Sequence, residues 1–414
     1  MLQICIFIEE SGTMPAAECD VIIPIAYDGR EQALIKHRLL EAYLQKLFMI
    51  VGMGAKATGT VELCYVDCFA GPWGDPSEGM ESTSIAISLR TLDVCRQQLG
   101  RRGIRARVRA LYVEEDSRAF SRLQTYLDSN TPSSLIANCI QGDFVALREA
   151  IIDWIGQGAF AFFFIDPKGW KQVGVPTLHP LLQRPRSEFL VNFMYNDVNR
   201  MASMREWQLE LSELLGESID LTGLSPEQRE QRIVRTYREN LKKSVPSPKP
   251  SYLPRAAHVR VLDPNKERPK YHLVYVTSHP RGVVEFMNIS EDVDLIQKQV
   301  RAVKRHTKKQ RETGMADMFG AESLVDPVSG HASPDDVDAY WCSYLRDGPR
   351  RIDSSAFADV LEEKDWFPGD LQSSLVRLIK SCKVANLTAD ATRRHKRPLH
   401  FEATDGEQLG LVQS

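Results

Sequence analysis

Four acidic residues stand where the chain leaves an apolar run and enters a turn, and a carboxylate in that position can hold a small polar ligand. The first closes Val61-Glu-Leu-Cys-Tyr-Val-Asp67 and is followed by Cys68-Phe69-Ala70-Gly71-Pro72-Trp73-Gly74, a tight turn with two glycines. In open α/β sheets ligands sit outside the carboxyl ends of the strands, and glycine lets the backbone approach them closely. Such a turn suits S-adenosylmethionine (SAM), with Asp67 near the methionyl amino group and Phe69, Gly71 and Gly74 around it. It suits a dinucleotide less well, because the G-x-G-x-x-G fingerprint is absent. A Gly/Pro loop without a ligand is the competing reading.

The other three acids follow the same pattern. Glu114 comes directly after the apolar run Leu111-Tyr112-Val113, where ribose hydroxyls could donate to it. Gly142-Asp143-Phe144 follows a third run; there a carboxylate can accept the adenine amino hydrogens and an aromatic can cover the ring. For each of these the alternative is a helix cap or a surface acid. The fourth run ends in Ile165-Asp166-Pro167-Lys168-Gly169-Trp170. Asp-Pro followed by an aromatic resembles the Asp/Asn-Pro-Pro-aromatic motif of amino-group methyltransferases. In that motif the acid accepts hydrogens from the target amine while the aromatic stacks on an extruded base. Asp166, Pro167 and Trp170 are therefore the candidate catalytic residues. Lys168 replaces the second proline and the aromatic comes one residue late; a strand-to-loop turn with Trp170 as packing is the alternative.

These residues need a sheet to bring them together. Strands are expected at Val61–Asp67, Arg107–Val113, Ile136–Gln141, Phe160–Asp166 and Glu188–Asn192, with helices at Glu31–Val51, Thr83–Leu99, Ser117–Asp128 and Phe144–Ile155. Strand–helix alternation predicts right-handed crossovers and a Rossmann-like, doubly wound parallel sheet. Residues 201–250 read as a helical insertion ending in a Pro-rich connector, and Tyr271–Thr277 with Gly282–Asn288 as a hairpin closing the far edge. A basic helix over 292–313 and a linker follow. From Pro334 two helical stretches precede a two-stranded wing, Ala385–Leu387 with Leu399–Ala403, the order of a winged-helix domain. The expected division is thus a segment over 1–30, an α/β domain over 31–320 and a winged-helix-like unit over 334–414.

Taken together these pieces resemble the three-Cys-motif partner protein family, prokaryotic and phage-associated proteins with a methyltransferase-like sheet. The resemblance rests on Lys36-His37 opening the first helix, the Asp67–Gly74 turn, Glu114, Gly142-Asp143-Phe144, Ile165–Trp170, and Asn192-Phe193-Met194 to Arg200. It covers roughly residues 31 to 200. Asp67 is usually followed by Gly-Phe in the family, and Phe usually stands at position 168; Cys68 and Lys168 depart from that. The resemblance implies a SAM-binding class I methyltransferase fold and a partner carrying a radical-SAM-like triple-cysteine motif. The substrate is not implied, because fold leaves chemistry open.

Composition narrows the rest. The chain has 414 residues, 43% hydrophobic and 26% charged, with 52 Lys+Arg against 55 Asp+Glu. That is globular usage, long enough for two or three domains, with no global positive field. Nucleic-acid binding would need local patches, and two exist. Arg301–Arg311 includes Lys304, Arg305, Lys308 and Lys309, and the wing loop holds Arg393, Arg394, Lys396 and Arg397. Either could lie along DNA or RNA phosphates or be a solvated surface. Eight cysteines without a C-x-x-C pair fit reduced thiols in a cytoplasmic protein and no metal site. No apolar run approaches the roughly 20 residues of a membrane span, and Met1 or Met14 could be the start. Two functions stay in view, a SAM-dependent methyltransferase acting on nucleic acid or a nucleic-acid-linked substrate, and a non-catalytic scaffold. A nucleotide hydrolase is disfavoured, since no Gly-x-x-x-x-Gly-Lys-Ser/Thr loop occurs.

Overall fold

The computed structural model describes residues 23–71, 82–247, 252–266, 268–313, 325, 331–389, 397–402 and 405–412. Gly74, Arg393, Arg394 and Lys396 of the expected sites lie outside the described residues. Two compact units are formed, the larger from Ile23–Ser329 with Ala358–Asp365, the smaller from Gly330–Phe357 and Trp366–Ser414.

In the larger unit, α1 (Glu31–Gly54) precedes β1 (Thr60–Asp67), α2 (Ser84–Arg101), β2 (Arg105–Glu114), α3 (Ser117–Asn130), β3 (Ile136–Gln141), α4 (Arg148–Ile155), β4 (Phe160–Ile165), α5 (Val175–Leu182) and β5 (Ser187–Phe193). The helices α6 (Tyr195–Met201), α7 (Gln208–Leu215) and α8 (Pro226–Lys243) follow, then β6 (Arg255–Leu262), β7 (Pro269–Thr277) and α9 (Pro280–Thr313). One seven-stranded sheet runs β3-β2-β1-β4-β5-β7-β6. Its first five strands pair in parallel, while β7 lies antiparallel to both β5 and β6. Every residue of β4, Phe160-Ala-Phe-Phe-Phe-Ile165, is buried, as a central strand covered on both faces requires.

The far edge departs from the expected hairpin. Gly282–Asn288 is the first part of α9, and the strand paired with β7 is β6. Val283, Phe286, Met287 and Ser290 are all buried, a helical period that the β-branched pair Val283-Val284 obscures in the sequence. The partner β6 carries its buried apolar residues at Ala256, Ala257, Val259 and Val261, beside the buried Arg255 and the exposed Arg260. A bulge at Val261/Leu262 breaks its register.

A buried carboxyl joins this edge to α1. Glu188 on β5 accepts from Tyr275 Oη at 2.5 Å, Thr277 Oγ1 at 2.9 Å and Tyr43 Oη at 3.2 Å. Burial pushes Glu188 up from 4.5 to about 7, against the pull of those hydroxyls.

The smaller unit contains α10 (Pro334–Tyr344), β8 (Arg350–Ile352), the start of α11 (Ser354–Lys364), α12 (Pro368–Lys380), β9 (Val384–Asn386) and β10 (Glu407–Leu411). Its sheet runs β8-β10-β9, antiparallel throughout. Here too one pairing differs from the expected one: β9 joins Glu407–Leu411, not Leu399–Ala403. Leu399 and Phe401 are apolar because they are core, with Phe401 stacked on Phe357 at 3.9 Å between ring centroids.

Candidate functional site

Strand order fixes where a ligand belongs. From β1 the chain steps outward to β2 and β3 on one side, then returns to β4 and β5 on the other. The switch point lies between β1 and β4, where open α/β sheets form their crevice; Asp67 ends β1 and Asp166 directly follows β4. The loop after β1 is pinned across that end of the sheet. Cys68 N–H donates to Phe164 O at 2.9 Å, and Ala70 N–H to Val113 O at 2.8 Å.

Asp67 is fully buried. Its carboxylate accepts from Ser84 Oγ at 2.8 Å and from Phe69 N at 3.2 Å, tying the loop to the first residue of α2. Burial pushes it up from 3.8 to about 7, opposed by those two hydrogen bonds, while the Asp166 carboxylate raises it further and the Lys36 ammonium lowers it. Asp67 therefore shapes the loop from within the floor.

Glu114 is placed differently. Its Oε1 accepts from Asp116 N at 2.8 Å, and among the described residues Oε2 has no hydrogen-bond partner. The cap of α3 is Asp116, which accepts from Arg118 N and Ala119 N. The helix-cap alternative thus falls to Asp116 and leaves Glu114 available. Gly142, at φ +147, donates its N–H to Glu114 O at 3.0 Å, so the turns after β2 and β3 are joined. Asp143 Oδ1 accepts from Ala146 N at 2.9 Å, a turn before α4. Phe144 does not offer a free face, because it is 2% exposed; it lies beneath the half-buried Phe69, with ring centroids 5.0 Å apart. Gly71 is partly exposed in the loop.

Around Asp166 the structure gathers residues that the sequence presented only as scattered pieces. Asp166 Oδ2 is ion-paired with Lys36 Nζ from α1, and Oδ1 accepts from Asn192 Nδ2 of β5 at 2.6 Å. The two charged side chains are 15% and 19% exposed, so the pair reaches the surface. Asn192 is buried, and its Oδ1 has no partner among the described residues. His37, next along α1, is hydrogen-bonded through Nδ1 to Tyr27 Oη at 3.0 Å. Burial, and then the Lys36 charge, pull His37 down from 6.5 to about 3, so it stays neutral. Tyr271 on β7 donates to Gln32 O at 2.6 Å and fastens the first turn of α1 to that strand. No local spacing could have revealed this cluster, since Lys36 and Asp166 are separated by 130 positions. Pro167 is buried and Trp170 is half-buried, packed edge-on against Trp207 at 5.9 Å.

The basic helix divides by face. Lys304 is ion-paired with Glu31 and lies 3.7 Å from Asp28, which fixes α9 to the start of α1. Arg305, Lys308 and Lys309 are exposed. In the smaller unit Arg397 is exposed and pairs with Glu402 at 2.9 Å. Among the described residues no three His, Cys, Asp or Glu side chains gather where they could hold a metal ion, and no helix is long and apolar enough to cross a membrane.

Neither protein-family profiles nor curated proteins match the chain. Among solved structures it is similar to an O-methyltransferase from Bacillus cereus in complex with S-adenosylhomocysteine, at 13% identity, covering 62% of this chain and 94% of that one, TM-score 0.29. It is also similar to protein LPL1258 of the DUF519 family from Legionella pneumophila, at 12% identity, covering 64% and 91%, TM-score 0.34. At these scores the likenesses add nothing to what the strand order carries by itself. A β3-β2-β1-β4-β5-β7-β6 sheet with β7 alone reversed is the Rossmann-like fold of class I methyltransferases.

Proposed function

We propose that the larger unit binds SAM in the crevice between β1 and β4 and carries its methyl group to a substrate presented at Asp166. The observation that carries this reading is the set of acids at the carboxyl ends of the adjacent strands β1, β2 and β3, with Oε2 of Glu114 unpartnered among the described residues. The chemistry of that set fits the cofactor. Glu114 would take the ribose hydroxyls, Asp143 the adenine amino group and Phe69 an adenine face, while Gly71 lets the loop backbone come close and Asp67 holds that loop to α2. When bound, SAM supplies an electrophilic methyl group on sulfonium sulfur. The protein's part is then to orient the acceptor and exclude water.

The finer identity follows the sequence resemblance: a three-Cys-motif partner protein working with a radical-SAM-like partner on nucleic acid or a nucleic-acid-linked substrate. The helix–strand–helix–helix–strand–strand order of the smaller unit supports a winged-helix reading, with Arg393, Arg394, Lys396 and Arg397 meeting phosphates. A non-catalytic scaffold is the second reading, favoured by one observation, that both oxygens of Asp166 are already engaged.

Calorimetric titration with SAM and S-adenosylhomocysteine tests the pocket. Saturable binding is expected, about 10–100-fold weaker in Glu114→Ala because charge-assisted hydrogen bonds to the ribose are lost. A folded protein that takes up neither ligand would overturn the reading. For the wing, Arg393, Arg394, Lys396 and Arg397 replaced together by Ala should flatten the salt dependence of DNA or RNA affinity, cutting the log–log slope by up to about 4. An unchanged slope removes the wing from the interface.

A further inference from the structure

We propose that the atom methylated in this crevice is an oxygen that attacks as an anion, a carboxylate or an ionised hydroxyl, with the Lys36 ammonium as its counter-charge. The inference rests on the methyl-transfer reading above and names its substrate class.

An amine acceptor sets two electrostatic demands. Its hydrogens need carboxylate oxygens with room to accept them, and its nitrogen becomes positive as the new bond forms. The site at Asp166 meets neither demand well. Oδ2 is held by Lys36 and Oδ1 by Asn192. The Asp166 charge is matched by Lys36, so the pair has no surplus negative charge to stabilise a nitrogen that becomes positive.

For an oxyanion the same arrangement is favourable. A lysine ammonium has three N–H donors. Among the described residues Asp166 is the hydrogen-bond partner of Lys36, so two donors remain on a side chain that reaches the surface. Asp166 and Asn192 act as positioning residues: the first holds the ammonium by its charge, and the second holds Asp166.

The transfer balances without a base in the site. A hydroxyl substrate gives its proton to solvent before attack, and a carboxylate has none to lose. An oxygen lone pair forms the O–CH3 bond, the S–CH3 bond breaks with its electron pair on sulfur, and sulfonium and oxyanion become two neutral products.

The test is a binding comparison on protein saturated with S-adenosylhomocysteine at pH 8. Benzoate and 4-nitrophenolate are the anionic probes, and benzamide and 4-nitroaniline their neutral counterparts of matched shape. At least one anion should bind, with its neutral counterpart about tenfold weaker or worse. Its affinity should fall about tenfold in Lys36→Met and persist in Lys36→Arg, with homocysteine-ligand affinity unchanged in both. Preference for benzoate identifies a carboxylate substrate; preference for 4-nitrophenolate identifies an acidic hydroxyl. Neutral probes that bind as well as the anions, anion affinity untouched by Lys36→Met, or no anion binding at all each overturn the inference. Failure of S-adenosylhomocysteine itself to bind is a separate result, and it removes the methyl-transfer reading along with this one.

Discussion

Asp67→Asn is expected to leave stability near that of the wild type at pH 4 and to raise it progressively up to pH 8. Burial of the carboxyl moves it from 3.8 to about 7 in the folded protein. Between those values the unfolded chain ionises while the native one stays protonated, so the native state binds more protons and loses stability as pH rises. A shift of that size corresponds to about 4 kcal/mol at most, present below pH 4 and gone above pH 7. Asparagine keeps the shape and the bonds: its amide oxygen can accept from Phe69 N, and its NH2 can donate to Ser84 Oγ. It carries no charge to desolvate. Urea denaturation of both proteins across this range measures the difference. A stability gap that does not change with pH would show that Asp67 titrates normally.

Comparison with the variant is needed because the wild-type profile hides the effect. Glu188 is also raised, from 4.5 to about 7, and loses stability over nearly the same interval. A buried and a half-buried histidine pull the other way. His272 is lowered from 6.5 to about 4, first by burial, and His37 to about 3. A base held neutral in the fold loses stability as pH falls below its ordinary value. Between roughly pH 4.5 and 6.5 the two acids and two bases cancel, and the wild type should show a plateau there with a fall on either side.

Much of the sheet was legible because each strand is marked locally. The continuous apolar run at Phe160–Ile165 and the acid after each of the first four strands are signals within a few residues, and β3 was bounded at its true limits, Ile136–Gln141. The far edge was not legible. A helix starting Pro280-Arg-Gly-Val-Val has β-branched residues at its front, and a strand such as β6 with Arg255, His258 and Arg260 has too much charge for its apolar alternation to stand out. The site divides in the same way. Glu114 and Asp166 could be named from one strand each, because the chemistry of an acid at a strand end needs no partner to be recognised. Lys36 and Asn192 could not be given roles, because these come from packing α1 and β5 against β4. Burial also reassigned two residues: Phe144, expected to cover a ring, lies inside the core, and Asp67, expected at the ligand, holds the loop from below.

Gly406→Ala is expected to be among the most damaging small substitutions in the smaller unit, and Gly103→Ala in the larger unit supplies its control. Both glycines have positive φ, +64 and +79. At Gly103 an added Cβ meets nothing within 4 Å, so the cost is backbone strain alone, about 1 kcal/mol. At Gly406 the same atom would stand 2.2 Å from Ile352 O, 2.6 Å from Ile352 C and 2.7 Å from Asp353 Cα. Those neighbours are backbone, so no side chain can swing aside. Relief requires β10 to move off β8, where Glu407 pairs with Ile352. Strain and lost pairing together should cost about 3–5 kcal/mol. Amide exchange over Glu407–Leu411 should then accelerate in Gly406→Ala while the strands of the larger unit keep their protection. If Gly406→Ala costs no more than Gly103→Ala, the turn into β10 has room that this packing denies it, and the close approach of β8 and β10 is not what requires glycine there.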